Sequence, residues 1–252
     1  MSQLKRSRRR DPLVSALSLP PPYRLVTLRE VGDAFAHACS VAAQTGAGTL
    51  VHVGRFDLAE FAVVLEPEEP LRLARRAFYA GMVALSDALV AQAPPERPIN
   101  FVWPDAIQVD GGLIGGGRLA WPSPADEAEP PHWLAFGAMI RIVALGGGET
   151  GLHPLATALE DEGFADLGAS WLVEGFARHL MAAFDTWQAD GFEAIERLYL
   201  GRLVPEKGAS RRIDANGDLL VTWRGGGSER RSLVQALARP SWLDPESGGP
   251  RR

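Results

Sequence analysis

Residues 102–118 read VWPDAIQVDGGLIGGGR, which has the pattern of a strand, a tight turn and a returning strand. The apolar run at 106–109 predicts the first strand of the pair, and the run at 113–121 predicts its partner. Between them, Asp110-Gly111-Gly112 is typical of a hairpin turn, because such turns need backbone conformations that glycine adopts without strain. A further strand is predicted at 99–103. The centre of the chain is therefore expected to form a β-hairpin.

The glycine run Gly115-Gly116-Gly117 indicates a strand that some other group approaches closely, since these positions carry no side chains. A phosphate-binding loop would need a helix after the glycines and a lysine followed by serine or threonine. The dinucleotide-binding fingerprint would also open a helix. The sequence after the run has neither feature, so two interpretations stay open: the approaching group is a ligand, or it is a packed helix of the protein itself.

Composition excludes several classes of function. The 252 residues are 46% hydrophobic and 23% charged, which is ordinary for a globular protein with a sizeable core. The net charge of −5 argues against a nucleic-acid partner. The single cysteine, Cys39, excludes an intramolecular disulfide and a cysteine-based metal cluster, and the five histidines share no metal-ligand spacing. No apolar run is long enough to span a bilayer, so we expect a cytoplasmic protein without a membrane partner or a metal site of its own.

Basic residues are almost all arginine, because lysine occurs only at Lys5 and Lys207. The body of the protein therefore has no ammonium side chain with which to do chemistry.

Hydrophobic periodicity predicts the remaining elements. After residue 203 an Asn216-Gly217 turn with a β-rich exit indicates a second, smaller hairpin, followed by a strand or short helix at 231–237. The order of elements predicts an α+β fold, a mixed β-sheet with helices packed on one side. The other predicted helices cover 28–44, 70–91, 155–162, 170–189 and 192–200, and the other predicted strands cover 49–53, 61–65 and 133–143.

The central hairpin resembles that of the biotin/lipoate A/B protein ligase family. The family pattern is Lys-Trp-Pro-Asn-Asp followed, after a short spacer, by Lys-x-x-Gly, and residues 102–116 follow its outline. The resemblance continues in sequence order on both sides of the hairpin. The segments that carry it are 29–33 (a family helix start), 133–141 (a family strand), 156–203 (its closing helices) and 213–221 (a strand pair of the small SH3-like domain of biotin ligases).

This resemblance implies a class II aminoacyl-tRNA synthetase-like fold and a division into four segments. The expected segments are a disordered basic and Pro-rich tail at 1–22, a ligase-like catalytic domain at 23–203, a small C-terminal β domain at 204–240 and a disordered tail at 241–252. It also implies a reaction that joins a small carboxylic acid, biotin or a lipoate-like acid, to a protein lysine through an acyl-adenylate. Such a reaction uses ATP and Mg²⁺, and its acceptor is a carrier-protein domain.

The sequence departs from the family at the positions that carry this chemistry. The two family lysines fall on Val102 and Leu113, and the Asn-Asp pair reads Asp105-Ala106. The arginine- and glycine-rich loop that covers the adenylate is reduced to Gly54-Arg55. Attack on ATP builds negative charge that requires a positioned cation, so these losses weaken the expectation of adenylation.

Arginine is the available substitute for the missing lysines. On the resemblance, Arg118 would stabilise phosphate, and Asp105 would hold Mg²⁺ or the amine acceptor; these two are the candidate catalytic residues. The candidate ligand-binding residues are Gly54, Arg55, Trp103, Gly115, Gly116, Gly117 and Arg141.

Two functions stay open at this point. One is a divergent ligase that attaches a small acid to a protein lysine with a degenerate catalytic motif. The other is a catalytically inactive pseudo-ligase that binds a small acid or nucleotide, or that acts as a regulatory binding module.

Overall fold

The computed structural model describes residues 17–144, 155–164 and 168–251. Seven strands form one mixed sheet in the order β1-β2-β3-β7-β6-β5-β4. Only the β1–β2 pair is parallel, and every other neighbouring pair in this sheet is antiparallel. The strands are β1 (Arg24–Leu28), β2 (Thr49–Val53), β3 (Leu58–Leu65), β4 (Ile99–Val102), β5 (Ala106–Val109), β6 (Gly112–Ala120) and β7 (Leu134–Arg141).

One face of the sheet carries the main hydrophobic core. The helix α3 is buried at every position except Asp87 and Val90, because it lies between the sheet and α4. Phe136 of β7 stacks on Phe176 of α4 and completes this layer. The helices of the large domain are α1 (Ala34–Thr45), α2 (Leu71–Ala74), α3 (Ala77–Val90), α4 (Ala169–Asp190) and α5 (Phe192–Arg202).

The helix α1 covers part of the opposite face. It begins at Asp33, whose Oδ1 accepts a hydrogen bond from the backbone N–H of Ala36 at 2.8 Å. Gly137 of β7 lies beneath the helix, where a Cβ atom would overlap the ring of Phe35. The absence of a side chain at this position therefore allows α1 to pack close to the sheet.

The central hairpin forms as the sequence predicts. Asp110 and Gly111 occupy the turn with φ of 48° and 83°, the left-handed pair that a two-residue hairpin turn requires. Gly115 has a φ of 146° at a bulge in the β5–β6 pairing, and a Cβ atom there would overlap the carbonyl of Met139. The bulge keeps the glycine run in contact with the neighbouring strand β7.

A small antiparallel sheet follows α5. It consists of β8 (Ala209–Ile213), β9 (Leu219–Trp223) and β10 (Ser228–Arg231), and α6 (Leu233–Leu237) comes after it. The hydroxyl of Tyr79 on α3 donates to the carbonyl of Gly217 at 2.6 Å and joins the small sheet to the main core. The α+β mixed-sheet fold with a small C-terminal β domain is thus confirmed, while the boundary after residue 203 stays a prediction.

Two predicted helices differ from the structure. The helix predicted at 28–44 begins only at Ala34, because β1 ends at Leu28 and a turn follows it, closed by a hydrogen bond from the Gly32 N–H to the Arg29 carbonyl. The helix predicted at 155–162 was wrong: this turn segment pairs with Leu113, whose N–H donates to the Leu155 carbonyl at 2.8 Å. In the second segment, backbone pairing to a strand outweighs a local apolar pattern.

The terminal segments also differ from the expectation of disordered tails. Residues 1–16 lie outside the described residues, but Leu17 and Leu19 pack against the main core. At the other end, residues 241–251 are described, and the side chain of Trp242 is fully buried. Within the described ranges, no helix is both long enough and apolar enough to cross a membrane.

Candidate functional site

The candidate site lies on the sheet face opposite α3, which we call the site face. Side chains alternate between the two faces along β6, so that Gly117 contacts Met82 and Phe136 of the main core, while its neighbours point the other way. Gly116 contacts Trp242 on the site face, and Arg118 lies over the ring of Phe35. The glycine run therefore serves two surfaces, and only its middle position belongs to the site.

A cluster of charged groups occupies the end of the site face near α1. Arg55 makes two hydrogen bonds to the Asp57 carboxylate, at 2.9 and 2.7 Å, and its guanidinium lies 3.7 Å from Glu60. The Glu60 carboxylate is buried and accepts a hydrogen bond from the N–H of Ala34, the first residue of α1, at 3.0 Å. Burial raises the pKa of Glu60, and the negative charge of Asp33 adds to that rise.

Arg118 is the second cation of this cluster. Its guanidinium lies 4.3 Å from the centre of the Phe35 ring and 3.7 Å from the Asp33 carboxylate. Burial lowers its pKa, which remains far above neutrality for a guanidinium. Its buried Nε atom has no hydrogen-bond partner among the described residues, so at least one N–H donor of the guanidinium is unused.

Residues 240–251, which we call the C-terminal segment, cover the other end of the site face. The indole of Trp242 lies against Gly116, and its Nε1 donates to the carbonyl of Gly117 at 3.1 Å. Leu58 and Met139 of the sheet form one small apolar cluster with this indole. Two groups thus approach the glycine run in the structure: helix α3 reaches Gly117 through Met82, as one of the two interpretations expects, and the C-terminal segment reaches Gly116 through Trp242.

Asp105 holds the beginning of the C-terminal segment. The Ser241 hydroxyl lies 2.6 Å from one oxygen of its carboxyl group, and the Ser241 N–H donates to the other at 3.0 Å. Asp105 is fully buried, and burial raises its pKa to about 6 against the opposing effect of these two hydrogen bonds. This carboxyl group is therefore engaged by the chain itself.

Arg141 holds the other end of the segment. Its guanidinium donates to the carbonyls of Pro250 and Arg251 at 2.8 and 3.0 Å. It also donates to the Thr157 carbonyl at 3.0 Å. Leu113, at the family lysine position, packs against the same apolar cluster as Trp242.

The predicted site residues fall into separate groups. Arg55 and Arg118 gather around Glu60, together with Gly54, which precedes Arg55 in the turn between β2 and β3. Asp105, Gly116 and Arg141 contact the C-terminal segment, as does the carbonyl of Gly117. The remaining two are Gly115, which contacts β7, and Trp103, which packs against the main core.

Two residues of the site were missed by sequence reasoning. Glu60 is a single charge within the apolar run of β3, and such a buried charge is a signal that could have been noticed. Trp242 lies in a polar, Pro- and Gly-rich stretch, where one large aromatic residue is out of place in a disordered tail.

The described residues hold no metal cluster, and a small cavity lies away from the site face. In the described part of the chain, no group of three or more His, Cys, Asp or Glu side chains could hold a metal ion. A cavity of about 270 Å³ lies elsewhere, between the end of β6 and α6, and Trp121 and Leu237 are among its apolar lining residues.

Comparison with known proteins places this arrangement in a family. The model of the biotin/lipoate A/B protein ligase family matches residues 19–201, nearly three quarters of the sequence. The chain belongs to that family. No curated protein matches it.

Solved structures agree with the family assignment. A biotin protein ligase-like protein of unknown function from Silicibacter sp. TM1040 is 28% identical, with a TM-score of 0.75 over 87% of this chain and 98% of that one. Biotin protein ligase from Aquifex aeolicus shares the fold at 14% identity, with a TM-score of 0.65 over 83% of this chain and 95% of that one. Biotin protein ligase from Leishmania major, in complex with biotinyl-5-AMP, shares it at 15% identity, with a TM-score of 0.55 over 84% and 99% of the two chains.

Proposed function

We propose that this member of the ligase family binds a small carboxylic acid on the site face and does not convert it into an adenylate. The observation that carries the proposal is Arg118, a half-buried guanidinium whose buried Nε is an unused donor, two residues along β6 from Gly116. Arginine pairs with carboxylates through two parallel hydrogen bonds, so this side chain suits the acid group of a ligand. The side-chain-free surface at Gly116 suits the apolar body of the same ligand.

The relatives support the class of ligand. Structures of the Aquifex aeolicus ligase hold biotin, and biotin with ATP, on the same fold. A biotin-like or lipoate-like acid is therefore the class we propose for this chain.

The described residues of the site face do not fit a nucleoside triphosphate or its Mg²⁺. In the charged cluster, two guanidinium groups face the three carboxyl groups of Asp33, Asp57 and Glu60, so the cluster disfavours the several negative charges of a triphosphate far more than the single charge of a carboxylate. Lys207 is the only lysine of the described ranges, and it lies exposed beside the small sheet. An adenylation step needs a cation aimed at the charge that develops on phosphate, and these residues do not provide it.

One observation favours the second candidate, a divergent ligase that attaches the acid to a carrier-protein lysine. Arg118 follows Leu113 on the same strand and is the cation closest in sequence to the lost lysine position. Acid-dependent exchange of pyrophosphate into ATP separates the two candidates, since only an adenylating enzyme catalyses it.

Calorimetric titration of the full chain with biotin, lipoate and octanoate tests the proposal. We expect at least one acid to bind, and Arg118→Gln to weaken that binding by about tenfold or more, because a charged hydrogen-bonded pair is lost. Arg178→Gln, on an exposed position of α4, is the matched control and should leave the affinity unchanged. Because Trp242 lies on Gly116, the titration is repeated on Trp242→Ala. Absence of binding by all three acids in both proteins, or equal affinities in the chain and its Arg118→Gln variant, would contradict the proposal.

A further inference from the structure

The C-terminal segment fills the part of the site face on which an acid's apolar body would lie. A Cβ atom on Gly116 would overlap the indole of Trp242, so the ring lies directly on the backbone of the glycine run. Leu58, Ala106 and Met139 surround the ring, and its N–H is satisfied by the Gly117 carbonyl. The site face thus accepts a flat apolar group with one polar donor, and the chain's own tryptophan is the present occupant.

The segment is built so that it can leave as a unit. Its middle residues fold back on themselves, with the Asp244 N–H donating to the Gly249 carbonyl and the Arg251 N–H donating to the Trp242 carbonyl. Residues 245–248 are exposed, and the segment follows α6 and contributes no strand to either sheet. Its removal therefore breaks no strand pairing of the seven-stranded sheet.

Two polar contacts hold the segment at its ends. Ser241 binds the carboxyl group of Asp105, and Arg141 binds the carbonyls of Pro250 and Arg251. Ser241 is itself exposed, so water can replace its bonds when the segment moves. Attachment to the large domain thus consists of the Trp242 indole, the Leu243 side chain against the same apolar cluster, and hydrogen bonds to Asp105, Gly117 and Arg141.

We propose that the C-terminal segment is a displaceable occupant of the acid site, and that Trp242 must leave Gly116 before a small acid can bind there. This inference rests on the proposed acid-binding function. The acid and the indole compete for one surface, so the apparent affinity for acid is the intrinsic affinity reduced by the fraction of molecules with the segment withdrawn. By the same linkage, a bound acid drives the segment out.

Affinity measurements on point variants of the full chain test the competition. Ser241→Ala removes one bond of the segment and should tighten acid binding by about fivefold. Trp242→Ala removes the competing ring and should tighten it by about tenfold or more. Trp223→Ala, a half-buried tryptophan of the small sheet, is the matched control and should leave the affinity unchanged.

Hydrogen exchange of the backbone amides is a second test, and it needs no variant. Saturating acid should speed exchange in residues 240–251 and should leave the small sheet as protected as before. Slower exchange of the segment on acid binding, or unchanged affinity in both Ser241→Ala and Trp242→Ala, would overturn the inference while the proposed function stands. Absence of acid binding by the full chain and by both variants would instead overturn the proposed function.

Discussion

Leu113 is the residue at which the chain keeps the family fold but carries leucine at the position that the resemblance assigns to a family lysine. Its backbone pairs with the turn segment at 155–157, as a strand residue does. Its side chain packs against the apolar cluster that contains Trp242. An apolar residue here is therefore part of the surface that receives the C-terminal segment.

Leu113→Lys should consequently destabilise the segment without creating activity. The lysine stem can lie along the cluster while the ammonium reaches water, so we expect a loss of only about 1 kcal/mol in the free energy of unfolding. Denaturant unfolding measures it, with Leu198→Lys on the exposed side of α5 as the control that should stay within about 0.5 kcal/mol of the parent. Equal effects of the two substitutions would show that Leu113 has no packing role.

Asp105 should make the free energy of unfolding decrease as the pH rises. Burial raises the pKa of its carboxyl group from 3.8 to about 6, so the native state holds a proton that the unfolded chain has released. Stability then falls as pH rises through this interval, because ionisation costs more in the buried site than in the unfolded chain.

Asp105→Asn should remove this dependence, since the amide keeps hydrogen-bonding groups for Ser241 and does not ionise. Between about pH 4 and pH 7, the parent should lose about 2 kcal/mol of stability relative to the variant. Urea unfolding across this range checks it. A constant difference between the two proteins would mean that Asp105 ionises normally.

Only some of the conformations and contacts of individual residues could be predicted from the sequence. The hairpin turn at Asp110 and Gly111 could be predicted because its backbone conformation depends on two adjacent residues. The bonds of Asp105 to Ser241, and of Arg141 to Pro250 and Arg251, could not, because these partners lie more than a hundred residues away along the chain. Contacts at that separation leave no local pattern.

At the scale of elements, the close packing of α1 on β7 depends on Gly137. Gly137→Ala places a Cβ atom where the ring of Phe35 now lies, so α1 must shift from the sheet. We expect a loss of about 1–3 kcal/mol in the free energy of unfolding.

Gly201→Ala is the control, because this helical glycine of α5 has open space around its Cβ position. It should stabilise the protein by about 0.5–1 kcal/mol through helix propensity. Denaturant unfolding of both variants gives the comparison, and a neutral Gly137→Ala would refute the close packing of α1 as a source of stability.

The two deviations from the predicted elements have different causes. The segment at 28–33 carries apolar residues at helical spacing, but it forms the end of β1 and a turn, and Asp33 then caps the helix. The segment at 155–162 follows the strand pairing of Leu113. Tertiary hydrogen bonding overrides short-range periodicity only in this second segment.

At the scale of the whole molecule, one buried hydrogen bond joins the small sheet to the main core. Tyr79→Phe leaves the Gly217 carbonyl without its donor and should cost about 1–3 kcal/mol. Hydrogen exchange should quicken in β8, β9 and β10 first. Tyr23→Phe, which loses a bond to Ala177 within the large domain, should not have this selective effect.

The overall architecture was predictable because many local signals agreed. Strand patterns, turn residues and the order of elements all indicate a mixed sheet with a small C-terminal β domain, and the resemblance to the ligase family adds an independent indication. The covering of the site face by the C-terminal segment was not predictable, since residues 241–252 have the composition of a disordered tail.

Acid-dependent exchange of labelled pyrophosphate into ATP tests the central claim most directly. It is measured on the full chain and on Trp242→Ala, with an active biotin protein ligase as the positive control and with an acid that calorimetry shows to bind. The account predicts acid binding without exchange in both proteins, because two guanidinium groups against three carboxyl groups can hold a single carboxylate but cannot balance the charge that develops on a triphosphate. Exchange above background that depends on the acid and is lost in Arg118→Gln would contradict it and would establish an arginine-based ligase.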